Sequence, residues 1–163
     1  MPTDMDERGI LQRVLDLAAA NVRDGQRPFG AIVVAGGRVV AEGVNTVTSS
    51  GDPTDHAEVR AIRAASQAVG GEDLSGAIVY TSCEPCIMCQ ATGLFSGVER
   101  MVFAASSALA ADMGFPAPSR AARVQERLRS ELPGYVVAGD IPPAVSRVPF
   151  AVWIERHDED RRA

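Results

Sequence analysis

The fold turns on the stretch Ala77-Ile-Val-Tyr-Thr-Ser-Cys-Glu-Pro-Cys-Ile-Met-Cys-Gln-Ala-Thr-Gly-Leu-Phe-Ser-Gly97, followed by Val-Glu-Arg-Met-Val-Phe-Ala-Ala105. Residues 77–81 read as a short buried strand, 86–97 as a helix and 100–105 as another strand. Upstream, 29–35 and 38–41 are β-rich runs around Gly36-Gly37, which predicts a hairpin. Residues 4–24 carry Ile10, Val14, Leu17 and Ala18 at helical spacing, and Gly25 is a stop. A second helix is expected over 55–69, with Val59, Ile62, Ala65 and Ala68 as its stripe and Gly70-Gly71 ending it. Strands alternating with helices make this an α/β chain around one sheet.

The rest of the chain is less regular. Residues 45–55 read as a loop, and so do the small, Pro-punctuated residues 106–118. A polar helix is expected over 120–130 and a last strand over 135–138. Pro142-Pro143 interrupts the chain before a short helix at 150–154, and the charged tail from His157 to Ala163 is expected to fray.

The 163 residues amount to one domain's worth of sequence, read here as a single domain over 1–163. All 16 basic residues are Arg and the net charge is −5, which disfavours a protein that grips a phosphate backbone. No apolar run is long enough for a transmembrane helix. The acidic start suits neither a signal nor a transit peptide, so a cytoplasmic location without a membrane partner is expected. Three cysteines within seven residues do not make a disulfide framework.

Chemistry concentrates in two motifs, His56-Ala57-Glu58 and Pro85-Cys86-Ile87-Met88-Cys89, each at the start of an expected helix. Cys86 and Cys89 are spaced i, i+3, so both thiols share one face of a first helical turn, where thiolate is favoured. His56 supplies a third ligand if the two helix starts lie side by side. One His and two Cys leave a fourth tetrahedral position of zinc open, the catalytic arrangement. Cys83 is either a fourth ligand or a small buried thiol packed beneath the site. Glu58, two residues from His56, need not ligate. It can instead take a proton from a water acidified by the metal and pass it to a leaving group. The pattern H-x-E followed by P-C-x-x-C is the signature of the zinc deaminases. Taken singly, the pieces have plainer readings: a redox pair, a surface histidine, an acid suited to a helix dipole.

With these motifs the sequence resembles the cytidine deaminase superfamily, and in particular bacterial guanine deaminase-like nucleobase deaminases. The pieces are Pro28-Phe-Gly-Ala31, Gly43-Val-Asn45, Asp52-Pro-Thr-Asp-His-Ala-Glu58, Thr81-Ser-Cys-Glu-Pro-Cys86 and Ala111-Asp-Met-Gly-Phe115. The resemblance implies a three-layer α/β/α sandwich with a mixed five-stranded sheet. It implies Zn2+ held by His56, Cys86 and Cys89, with Glu58 as the catalytic proton shuttle. It further implies Asn45, the Ala57 backbone N–H, Phe29 and Phe95 as substrate contacts. Asn45 is also a plausible turn residue, and Phe95 a core residue. The family often forms homodimers, sometimes exchanging a C-terminal segment, here about 141–163.

Two departures stand out. Guanine deaminases carry an acid shortly after the Gly-Phe matched by Gly114-Phe115, where this chain has Pro116-Ala117-Pro118. They also tend to close the pocket with a tail ending in Tyr, whereas no aromatic follows Trp153. Glu84, Asp112 or a tail acid would have to substitute. The expected activity is therefore hydrolytic release of ammonia from a free nucleobase or amino-azine, with isoguanine, cytosine or azacytosine, and s-triazines favoured. Guanine deamination proper, a tRNA adenosine deaminase and a non-catalytic zinc scaffold are the competing readings.

Overall fold

A computed structural model describes residues 6–162. The expected helix start at Asp4 and the final Ala163 lie outside the described residues.

Asp6 accepts a hydrogen bond from the Gly9 N–H and so caps α1 (Glu7–Arg23). The inward stripe of α1 is Ile10, Leu11, Val14, Leu15, Ala18 and Val22. β1 (Gly30–Ala35) and β2 (Arg38–Val44) form the hairpin. Its two turn glycines have φ of 57° and 73°, the left-handed pair that a tight hairpin turn requires. β1 also pairs antiparallel with β3 (Ile78–Cys83). β3 runs parallel to β4 (Arg100–Ala105), which runs parallel to β5 (Val136–Ala138). The mixed five-stranded sheet has the order β2-β1-β3-β4-β5.

The strand pleat sends alternate residues to opposite faces. Ala31, Val33, Val79 and Met101 pack with Ala57, Ala61, Ile62 and Ala65 of α3 (Ala57–Val69). Ile32, Tyr80 and Val102 pack with Ile10, Leu11 and Val14 of α1 on the other face. α4 (Ile87–Phe95) lies beside α3. These layers make the α/β/α sandwich. Gly43 lets α3 close onto β2: a Cβ there would lie 2.5 Å from the Ala61 backbone nitrogen.

Four expectations need correcting. The 45–55 segment contains a short helix, α2 (Val47–Ser50), because the Asn45 Oδ1 accepts from the Val47 N–H and starts a turn. The 106–118 segment contains α5 (Ser107–Asp112), where Ser106 caps an Ala-rich run by accepting from the Leu109 N–H. The helix expected at 150–154 is α8 (Val148–Arg162), which takes in the tail expected to fray. The tail has no Gly or Pro to stop it. It is held by the Arg156 guanidinium on the Arg23 carbonyl oxygen and by His157 stacked on Trp153 at 3.7 Å. Pro142-Pro143 ends one segment and starts a short helix, α7 (Pro143–Ser146), with Pro at its first position. α8 packs against α1. The expected polar helix is α6 (Ser119–Glu131). No helix among the described residues is long and apolar enough to cross a membrane.

Candidate active site

The site forms where β3 and β4 end. Past Cys83 the Glu84 N–H donates to the Ala105 carbonyl oxygen, carrying the parallel register one residue beyond the strand and into the Pro85-Cys86 turn. Cys86 is the N-cap of α4 and Cys89 lies in its first turn, while His56 is the N-cap of α3. The side-by-side packing of α3 and α4 brings the two motifs together. His56 Nδ1, Cys86 Sγ and Cys89 Sγ lie 3.6 Å from one another in all three pairs. They form the one His/Cys/Asp/Glu group among the described residues able to hold a metal ion. Bonds of about 2.3 Å to sulfur and about 2.0–2.1 Å to nitrogen place tetrahedral neighbours roughly 3.5–3.8 Å apart, so the donors fit zinc. Cys83 is buried and stands outside this group.

The electrostatics suit a cation. The Cys86 thiol is pulled down to about 4, first by its hydrogen bond with Cys89 and then, against the opposing effect of burial, by His56. The same shared proton, together with burial, holds Cys89 well above the usual thiol range. His56 is raised, chiefly by its hydrogen bond to Cys86.

Glu58 is buried one helical position into α3, and burial, followed by the charge on Cys86, pushes its carboxyl up. Its Oε2 lies 3.4 Å from Cys89 Sγ. Its Oε1 lies 3.1 Å from the Thr81 hydroxyl, which is also 2.9 Å from the Cys83 carbonyl oxygen. Thr81 has one proton for these two acceptors. It can donate to an ionised Glu58. With Glu58 protonated, it can turn to the carbonyl and accept instead. Sequence reading did not single out Thr81, because a threonine in a strand carries no signal beyond β propensity.

A cleft of about 510 Å³ opens beside Glu58 and is lined by Phe29, Asn45, Glu84, Phe115 and Gln125, among others. Phe29 stacks edge-on against Phe115 and Phe150, building an aromatic wall. Asn45 is buried, and its Oδ1 is spent on α2, which leaves its amide N–H2 for the cleft. The Ala57 N–H, at the first position of α3, has no intrahelical acceptor. Phe95 is not brought to the cleft. It is 93% exposed at the end of α4, so neither a stacking role within this chain nor core packing describes it. Of the substitute acids, Glu84 lines the cleft whereas Asp112 does not, and Pro116-Ala117-Pro118 line it with no carboxylate. Arg27 also reaches the cleft and forms no ion pair among the described residues.

The family model of the cytidine and deoxycytidylate deaminase zinc-binding region matches residues 5–105. Guanine deaminase of Bacillus subtilis is 44% identical over 112 residues, 68% of this chain and 72% of that protein. A tRNA-specific adenosine deaminase of Agrobacterium fabrum is 40% identical over 92 residues, 56% of this chain and 60% of that protein. The crystal structure of the Bacillus subtilis guanine deaminase superposes with a TM-score of 0.69 at 34% identity, covering 93% of this chain and 95% of that one.

Proposed function

The chain belongs to the cytidine and deoxycytidylate deaminase family of zinc-binding hydrolytic enzymes, and on that premise we propose that it deaminates a free nucleobase or related amino-azine. The observation that carries this is the three mutually equidistant donors His56, Cys86 and Cys89 beside the buried Glu58. A zinc ion bound by those three residues supplies Lewis acidity that brings the pKa of water near neutrality. Glu58 takes a proton from the attacking water and delivers it to the departing amino group. Thr81 supports Glu58 in both protonation states, donating to the carboxylate and accepting from the acid. Water adds at the ring carbon bearing the amino group, the C–N bond breaks, and the products are a ring carbonyl and ammonia. Asn45 donates to a ring acceptor, the Ala57 N–H donates to the substrate, and the Phe29 wall holds the ring plane.

Isoguanine, cytosine or azacytosine and s-triazines are favoured over guanine. The support is a cleft wall at 116–118 that offers no side-chain acceptor for guanine's ring N–H and amino donors. A cytoplasmic homodimer is part of the proposal. Its support is the apolar protrusion of Phe95 and Leu94, 93% and 41% exposed, which light scattering on the purified protein tests.

Ammonia release by the zinc-loaded protein, measured across guanine, isoguanine, adenine, cytosine, 5-azacytosine, ammeline, guanosine, cytidine and a tRNA stem-loop, tests the reaction. Turnover of the favoured bases is expected. Activity on the stem-loop alone would make this chain a tRNA adenosine deaminase, and a zinc-loaded protein inert to the whole panel would refute the reaction.

A further inference from the structure

One buried polar side chain in the cleft has no part in the reaction above. α6 is a 13-residue helix whose sole buried residue is Gln125. A surface helix ordinarily buries an apolar stripe, but the inward position of α6 is an amide at 6% exposure, facing the cleft alongside Pro118 and Ala121. Its Nε2 donates to Glu84 Oε1 at 3.5 Å. That carboxylate is itself fixed. Its Oε2 accepts from the Ser107 N–H at 2.9 Å, and its Oε1 is ion-paired with Arg129 on the next turn of α6.

An ionised carboxylate only accepts hydrogen bonds, so the NH2 end of Gln125 must face Glu84. The carbonyl end is then left over, and no described residue donates to it. Gln125 lines the cleft, so that oxygen is open to it, and a base bound there can replace water as its donor. Glu84 already accepts from Arg129, Ser107 and Gln125, which leaves about one of its four acceptor sites for a base.

We propose that Gln125 is a specificity-determining residue whose side-chain carbonyl accepts a hydrogen bond from a ring N–H or amino group of the bound base. The proposal rests on the nucleobase deaminase reading and adds what the substrate must present: one donor for Gln125 and one acceptor for the Asn45 amide. Uncharged bases with a lactam edge, cytosine, isoguanine and guanine alike, carry such a pair. A carboxylate at this position would instead favour guanine, which offers ring N–H and amino donors together.

The test compares the zinc-loaded wild type with Gln125→Met and Gln125→Glu, by kcat/KM for cytosine, isoguanine and guanine. Gln125→Met keeps the volume and removes the acceptor. It should lower kcat/KM for the best substrate about tenfold, chiefly through KM, as expected for one lost hydrogen bond. Gln125→Glu should move the ratio of guanine to the best substrate about tenfold toward guanine. Zinc content and melting temperature are measured on each protein. If a second carboxylate beside Glu84 unfolds Gln125→Glu, Gln125→Met decides alone, since it adds no charge. A purely structural glutamine would change stability and leave the substrate ratios alone. Ratios unchanged within about threefold in folded variants, less than one hydrogen bond is worth, overturn the proposal while leaving the deaminase reading intact. A wild type inert to every base overturns both.

Discussion

Gly43→Ala tests the packing that places the two motifs side by side. The added Cβ would lie 2.5 Å from the Ala61 backbone nitrogen, 3.0 Å from the Ala61 Cα, and closer still to the Ala57 carbonyl oxygen. Carbon contacts settle at roughly 3.5–4.0 Å, so α3 must retreat from β2 by about 1 Å. The obstructing atoms are backbone, and no side chain can swing aside to absorb the methyl. Overpacking costs about 1–3 kcal/mol, and a clash with backbone on several sides belongs at the upper end. For a chain of this size about 3 kcal/mol lowers the melting temperature by roughly 6–12 °C. His56 and Glu58 ride on the first turn of α3, so the same retreat displaces one metal ligand and the proton shuttle together. A 1 Å misplacement of reacting groups costs about 100-fold in turnover. The assay is a thermal melt with bound zinc and ammonia release measured on the same preparation. Gly71→Ala is the control, because a Cβ there meets nothing within 4 Å. It should melt at or slightly above the parent temperature. If Gly43→Ala melts within about 2 °C of the parent and keeps full zinc and turnover, the seating of α3 on β2 does not position the site as argued.

Glu58→Gln should retain zinc and lose turnover by at least about 100-fold, the lower range for a positioned acid-base group; a variant with near-parental turnover would exclude Glu58 as the shuttle. Thr81→Val removes the hydroxyl that follows the Glu58 proton and should lower kcat about tenfold with zinc content and KM nearly unchanged, as for a hydrogen bond made to a reacting group. Chelation should expose one fast-reacting thiol, Cys86, while Cys89 and Cys83, both buried and both with raised pKa, stay slow to a thiol reagent; equal reactivity of all three would contradict the site as described. Glu84→Gln bears on pH. Burial pushes the Glu84 carboxyl up, but the hydrogen bonds from Ser107 and the Arg129 charge outweigh burial and hold it below the ordinary glutamate value. A depressed carboxylate contributes stability above its unfolded-state pKa and loses it as pH falls through the folded-state value. The wild type should therefore melt above Glu84→Gln near neutral pH, with the gap closing on acidification; a gap that widens in acid would reverse the assignment.

What was legible in the sequence was what repeats or what carries chemistry in adjacent residues. The Ile10, Val14 and Ala18 stripe, the Gly36-Gly37 turn and the Ile78–Cys83 strand are local patterns, and the elements sit within a few residues of where the patterns place them. The metal group was legible because His56 and the Cys86/Cys89 pair each occupy a helix start, where spacing along the chain implies spacing in space. α2, α5 and the length of α8 were misread for a common reason. Each was judged by composition, as polar, small or charged, whereas one cap or anchor decided it: Asn45 for α2, Ser106 for α5, and Arg156 with the Trp153–His157 stack for α8.

The cleft wall was illegible for a deeper reason. Gln125 sits in a helix that reads as solvated along its length, yet Gln125 and Arg129 both fasten to Glu84, 41 and 45 residues earlier in the chain. Sequence reading weighed Glu84 as a substitute recognition acid. Its identity as a carboxylate was plain, but not that Ser107, Arg129 and Gln125 had already claimed its oxygens. A buried acid that already accepts from three donors anchors other groups, and one group it anchors here is the amide facing the cleft. Catalytic chemistry sits on chain-local motifs because two helix starts suffice to build it. On the proposed role of Gln125, recognition sits on a contact between distant segments, and that would let a chain keep the reaction of its family while changing which base it accepts.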